Sequence, residues 1–403
     1  MITLEEALAI IRMQVEPLEI CRVPLMRLAG YVLARPVTAA MPLPRFDHAA
    51  MDGFGLRAAD AASVPALLPV QGTICAGDTA LEPLRAGQAV KILTGAPIPP
   101  GVDTVVMKEF CTEMGGVVHV QRAVREGENI RRAGEEFQPG DEVLPAGMRV
   151  TPPVVGQLAA LGRTAAAVRR KPKVAIVVTG SELVRPGEAL CAGQIYDANS
   201  YAIRAALASS GVNRCTVFHA VDDPGVMQDR LRKALHAADV VLTIGGISVG
   251  EFDFVKDAGT ALGVTTHFWT VAIKPSKPTY FGTLGSDRGK KYLFGLPGNP
   301  VSALLAFHYF VRPALGQLLG QSAGTAPSVY AELATDLKKK AGREELVRGI
   351  LCLEDDRLLV RPAVGQESHM LGGLSRANCI IRFPRAAERL AAGARVLVDM
   401  LEW

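Results

Sequence analysis

From residue 173 to residue 318, short apolar β-branched runs alternate with amphipathic helical patterns, and no other feature of the chain restricts the fold as much. Strands are expected at 174–178, 212–220, 240–244 and 264–268, with a hairpin of 279–284 and 291–296. Helices are expected at 200–209, 224–237, 253–262 and 300–318, the first capped by Asn199 or Ser200. This alternation predicts an α/β doubly wound sheet with helices on both faces. Ligands of such sheets lie beyond the carboxyl ends of the strands. The turns after each strand are therefore the places to look for chemistry.

The run 240–244 is followed by Gly245, Gly246, Ser248 and Gly250, and then by Asp253 at the start of a helical pattern. A strand, a glycine turn and a helix N-terminus make an anion cradle, because glycine admits a phosphate close to the backbone and the first helix amides point at it. A carboxylate beside that cradle would repel a bare phosphate, so Asp253 calls for a divalent cation, magnesium, between them. The plainer role for Asp253 is to stabilise its helix start. Glu182 follows the first strand and Asp222 the second, where Asp223 and Pro224 supply the cap and first residue of the next helix. Glu182, Asp222 and Asp253 on one edge are expected to make a magnesium site. Lys274 and Lys277 stand in the proline-stiffened stretch AIKPSKP, and Pro297, Gly298, Asn299 and Pro300 lead into a helix. The amides of Val301 and Ser302, with the Ser302 hydroxyl, are expected to form a second anion site. Two cradles, two lysines and three acids on one crevice imply a phosphorylated ligand, a metal and room for a second inorganic anion.

Outside this region, Thr3 and Glu6 make a capping box for a helix over 4–16 that Pro17 ends. Residues 58–150 are short strands punctuated by glycine and proline, a small all-β domain. After residue 320 further strand-like runs predict a C-terminal β-barrel or sandwich. The chain has 403 residues and a net charge of only +4, without a basic stripe interleaved with aromatics, which argues against nucleic-acid binding. The apolar runs are too short to span a bilayer, and the acidic amphipathic start is unlike a secretory signal. Seven scattered cysteines without a Cys-x-x-Cys pair fit a reducing cytoplasm.

The motifs TGSEL, GQIYDAN, GGISVGEFD, IKPSKP and LPGNPVS stand in the order and spacing of the molybdopterin molybdenumtransferase family, which this chain resembles along nearly its whole length. FDHAAMDGF, ILTGAPIPPG, ENIRRAGEE, GREELVRG and GQESHMLGGLSRAN agree as well. The resemblance implies insertion of molybdate into adenylylated molybdopterin, with AMP released and magnesium required. It implies an elongated homodimer, with molybdopterin adenylyltransferase and molybdoenzyme chaperones as further partners. It also implies four parts behind an N-terminal helix (1–20): an elongated linker domain (21–44 and 137–170), a small β domain (45–136), the α/β molybdopterin-binding domain (171–319) and a C-terminal β-barrel (320–403). Lys274 and Lys277 would then draw in molybdate. Arg343 of the GR motif and Ser368 match oxyanion-pocket positions, and their donors suit a tetrahedral oxyanion. Asp52 and Thr94 match positions that in the family face the partner subunit's cleft, although Asp52 also reads as a turn residue before Gly53.

The chain departs from the family at several positions. His48, Ala49 and Phe54 replace Asn, Ser and Tyr, and Ser181 and Glu136 stand where Asp is common. Ser276 stands where Gly is common, and Thr270 replaces a frequent lysine. Two other functions compete: a molybdopterin adenylyltransferase, which carries a GGTG-type loop and lacks the flanking β domains, and a non-catalytic scaffold, which has no reason to keep Asp253, Lys274 and Lys277.

Overall fold

The computed structural model describes residues 1–79, 81–246, 254–287, 289–321 and 327–403. It divides into two compact units: residues 1–34, 147–152 and 165–403, and residues 35–146 and 153–164.

At the centre of the first unit is a six-stranded sheet in the order Cys215–Ala220, Val174–Thr179, Val240–Ile244, Lys291–Leu296, Pro278–Leu284, Thr265–Thr270. The first four strands are parallel and the last two run antiparallel to their neighbours, so the expected hairpin forms the edge of a mixed sheet. The side-chain alternation of a strand divides the core in two. Val174, Ile176 and Val178 pack with Ile203, Leu207, Leu305 and the N-terminal helix residues Leu4, Ala7 and Ile11. Ala175 and Val177 face Met227, Leu231 and Val255 on the other side. Helices therefore cover both faces, as the alternation requires.

The N-terminal helix spans Leu4–Gln14 and carries the expected capping box, Thr3 accepting from the Glu6 amide while the Glu6 carboxylate accepts from the Thr3 amide. Helix Pro224–Ala237 is capped by Asp223, as expected. Helix Asn199–Ser209 is not capped by Asn199 or Ser200. Buried Asp197 does this instead, accepting from both the amide and the hydroxyl of Ser200. The expected single helix 300–318 is α-helical over Pro300–Ala306, π-helical over Phe307–Val311 and α-helical again over Arg312–Leu318. Pro313 explains the wide turn: it has no N–H to offer the Tyr309 carbonyl, and its ring would clash there in a regular α-turn.

The C-terminal strands close into a barrel. Glu344–Glu354 pairs with Arg357–Pro362, which pairs with Ser328–Leu333, then Arg395–Met400, then Cys379–Phe383 and back to Glu344–Glu354. Leu333, Val360, Ile381 and Val398 fill it. Polar contacts fasten the barrel to the α/β layers: Tyr309 donates to Asp399 at 2.7 Å and Arg382 donates to Glu5 of the N-terminal helix at 3.0 Å, while Arg382 also bonds Glu344 and Asp399 within the barrel.

In the second unit a six-stranded sheet runs Thr104–Met107, Gly53–Leu56, Ala89–Ile92, Ala66–Ile74, Val117–Val120, Cys111–Met114, in agreement with the all-β reading. A Cβ on Gly53 would lie 1.8 Å from the Val106 carbonyl oxygen, so only glycine lets these two strands pair.

Candidate active site

Four adjacent parallel strands end on one edge of the α/β sheet. After Val174–Thr179 come Gly180, Ser181 and Glu182; after Cys215–Ala220, Asp222; after Val240–Ile244, Gly245 and Gly246; after Lys291–Leu296, the run Pro297–Pro300. Gly245 has φ +87°, and an added Cβ would sit 2.6 Å from Thr179 Oγ1. The backbone is thus brought close because no side chain intervenes. Asp222 Oδ2 accepts from the Ser181 amide at 3.1 Å and from its hydroxyl at 3.4 Å, so the serine that replaces a common aspartate holds a neighbouring carboxylate in place. Ser248, Gly250 and Asp253 lie outside the described residues.

Asn199 reaches across this edge and donates from Nδ2 to the Gly298 carbonyl at 2.6 Å. The Val301 amide donates to the Ser368 carbonyl at 3.1 Å. That amide is therefore engaged and is not one of the donors of the anion site expected there.

The loop 271–278 is held from three sides. The Ala272 amide donates to the Ile2 carbonyl at 2.7 Å, the Val271 amide closes on the Lys277 carbonyl at 3.0 Å, and Ile273–Lys274 pairs in parallel with Glu344–Glu345 of the barrel. The Lys274–Pro275 peptide is cis. Ser276 has φ +73°, a left-handed conformation that favours the family's glycine, and its hydroxyl donates to the Ser302 carbonyl at 2.7 Å. A cavity of about 300 Å³ opens between this loop and the barrel, and Lys274, Lys277, Ser302, Arg343 and Ser368 all line it. Two ammonium groups, a guanidinium and two hydroxyls around one small volume suit a tetrahedral oxyanion.

Arg348, which is fully buried, bonds the stretch 365–367 next to this cavity. Its Nη2 donates to the carbonyls of Gly365 (2.7 Å) and Glu367 (3.3 Å), while Gln366 bonds both the amide and the carbonyl of Arg348. These bonds fix the loop that presents Ser368. In the sequence Arg348, a single arginine on a strand, looks like a solvated one. The doubled arginine of GREELVRG was the available signal.

In the second unit, Asp52 Oδ1 accepts from the Thr94 amide (2.9 Å) and hydroxyl (2.8 Å), and Lys108 lies 3.3 Å from Oδ2. The Thr94 amide, then its hydroxyl, then Lys108 hold the Asp52 carboxyl down to about 2. Asp52 and Thr94 are thus a joined pair, and Lys108 is a third member the sequence did not suggest.

Family models match along the chain in three blocks: "MoeA N-terminal region (domain I and II)" over residues 2–162, "Probable molybdopterin binding domain" over 175–317, and "MoeA C-terminal region (domain IV)" over 330–401. A molybdopterin molybdenumtransferase of Haemophilus influenzae is 35% identical over 92% of this chain and 91% of its own. The chain belongs to the molybdopterin molybdenumtransferase family. It is a transferase of molybdenum cofactor biosynthesis. Molybdopterin molybdenumtransferase 2 of Mycobacterium tuberculosis is 36% identical, covering 96% of this chain and 97% of that one. The crystal structure of a molybdopterin biosynthesis moeA protein from Pyrococcus horikoshii superposes with a TM-score of 0.83 at 30% identity, over 100% of both chains.

Among the described residues no three His, Cys, Asp or Glu side chains form a metal-holding group. Magnesium, however, keeps several waters and binds through one or two carboxylates together with substrate phosphate. Glu182 and Asp222 supply such hard oxygen donors beyond two adjoining strands.

Proposed function

We propose that the chain inserts molybdate into adenylylated molybdopterin, forming molybdenum cofactor and releasing AMP, with magnesium bound. The observation that carries this reading is the convergence of Lys274, Lys277, Arg343 and Ser368 on one cavity. The strand edge with Gly245 and Gly246 supports a phosphate-bearing substrate beside it. In this proposal Lys274 and Lys277 attract molybdate by charge, while Arg343 and the hydroxyls of Ser302 and Ser368 orient its oxygens. Glu182 and Asp222, with Asp253, would hold magnesium, which neutralises phosphate charge when bound. Pro297, Gly298, Asn299 and Pro300 shape the wall against the substrate, with Asn199 fixing Gly298.

The proposal includes a homodimer in which Asp52 and Thr94 face the partner subunit's cleft, and the four-part division of the subunit given above. Among the described residues no helix is long and apolar enough to cross a membrane. Together with the unpaired cysteines, this supports a cytoplasmic site of action.

Incubating the purified chain with adenylylated molybdopterin and measuring AMP tests the reading. AMP should appear only when molybdate and magnesium are both present. Release without molybdate, or none with both, would refute it.

A further inference from the structure

A second cavity, of about 360 Å³, adjoins the first. It is lined by Lys274, Lys338, Lys339, Lys340, Arg343 and Glu345. Lys274, Arg343 and Glu345 also line the first cavity, so these three side chains mark where the two meet. Glu345 is the one carboxylate among the described residues common to both linings. Its Oε1 lies 2.9 Å from Lys274 Nζ.

The pairing is built into the backbone. Lys274 and Glu345 are register partners in the parallel bridge between Ile273–Lys274 and the barrel, which places their side chains next to each other. The glutamate is the more enclosed partner, 20% exposed against 54% for the lysine. Lys339 is committed elsewhere, donating to the carbonyls of Arg343 and Arg385, and so shapes the cavity wall.

A dianion surrounded by uncompensated cations would bind tightly and leave slowly. A site through which an anion must pass has to bind it strongly enough to admit it and weakly enough to let it go. A fixed carboxylate on one of the cations achieves this, because the incoming oxyanion competes with it for the same ammonium group.

We propose that Glu345 is an affinity-setting residue, which holds Lys274 in the anion-free chain and yields it when a tetrahedral oxyanion enters. This rests on the reading of the cavity as the molybdate site. Glu345 touches no reacting atom in the proposal and acts through Lys274.

The test is equilibrium binding of molybdate, and separately of sulfate, to the full chain and to Glu345→Gln, Lys274→Gln and the double variant. Glu345→Gln should tighten both anions by roughly threefold to tenfold, and this gain should vanish when Lys274→Gln is also present. In turnover the molybdate KM should fall without a rise in kcat. Unchanged or weaker binding in a Glu345→Gln variant with wild-type thermal unfolding would overturn the proposal, as would tightening that persists in the double variant. If Glu345→Gln does not fold, Glu345→Asp draws the charge back by one methylene and should tighten binding by a smaller factor; no tightening in that folded variant is equally fatal. Should Lys274→Gln alone leave molybdate binding unchanged, the cavity is not the oxyanion site, and the functional reading fails before Glu345 is at issue.

Discussion

The side-chain amide of Asn199 donates to the backbone carbonyl of Gly298 at 2.6 Å, tying the start of one helix to the turn that precedes another. Gly298 is exposed, so water can replace the lost donor and stability should hardly change. Position is what would be lost. Asn199→Leu is expected to leave the unfolding temperature within about 2 °C of wild type and to raise the KM for adenylylated molybdopterin roughly tenfold, read from AMP release at saturating molybdate. An unaltered KM would reduce Asn199 to a local loop contact.

Ser276 resolves one departure from the family. Its left-handed backbone costs about 1–2 kcal/mol for a residue with a Cβ, and its hydroxyl bond to the Ser302 carbonyl offsets about 1 kcal/mol of that. Ser276→Gly should therefore be nearly neutral. Ser276→Ala keeps the strain and loses the bond, and should be less stable by about 1 kcal/mol or more in urea unfolding. A glycine variant weaker than the alanine variant would contradict this account.

His308 is buried in the π-helical turn against Tyr309 and Trp403, and neither ring nitrogen has a hydrogen-bond partner. Burial first, then the charge of Arg312, lowers it to about 4. The unfolded chain therefore binds this proton at a higher pH than the folded one. Stability is unaffected above about pH 6.5, falls as the pH drops from there toward about 4, and levels off below. The total loss from this group is on the order of 3 kcal/mol. Unfolding measured at a series of pH values should show His308→Phe losing less stability than wild type across that window. Parallel curves would rule out the histidine as the cause.

Asp52 is partly exposed and stays ionised at any working pH, because the Thr94 amide, the Thr94 hydroxyl and Lys108 all favour its charge. Asp52→Asn should fold normally, lower AMP release at least tenfold, and do so equally from pH 5 to 8. Wild-type turnover would leave Asp52 as a loop residue only.

Strands Val240–Ile244 and Lys291–Leu296 and helix Pro224–Ala237 run between the residues that the sequence indicated. Each is bounded by local signals: a glycine pair, a proline, an aspartate cap. The cap of helix Asn199–Ser209 was misjudged because Asp197, Asn199 and Ser200 all carry capping chemistry and only the chain path selects among them. Long-range relationships left no mark. Nothing near Lys274 announces a strand partner at Glu345, and nothing near Asp52 announces Lys108, 56 positions away. Prolines in AIKPSKP suggested a stiff loop, whereas the stiffness owes as much to Ile2 and to the barrel. Burial of the Arg348 guanidinium depends on packing that only the folded barrel creates, so its strand sequence does not reveal it.

Crystals of the chain soaked in molybdate and examined at the molybdenum absorption edge test the whole account most directly. The anomalous peak should lie within hydrogen-bond reach of Lys277, Arg343 and Ser368, and should vanish in crystals of Lys277→Ala. A peak confined to other surfaces, or one that survives that substitution, would contradict it.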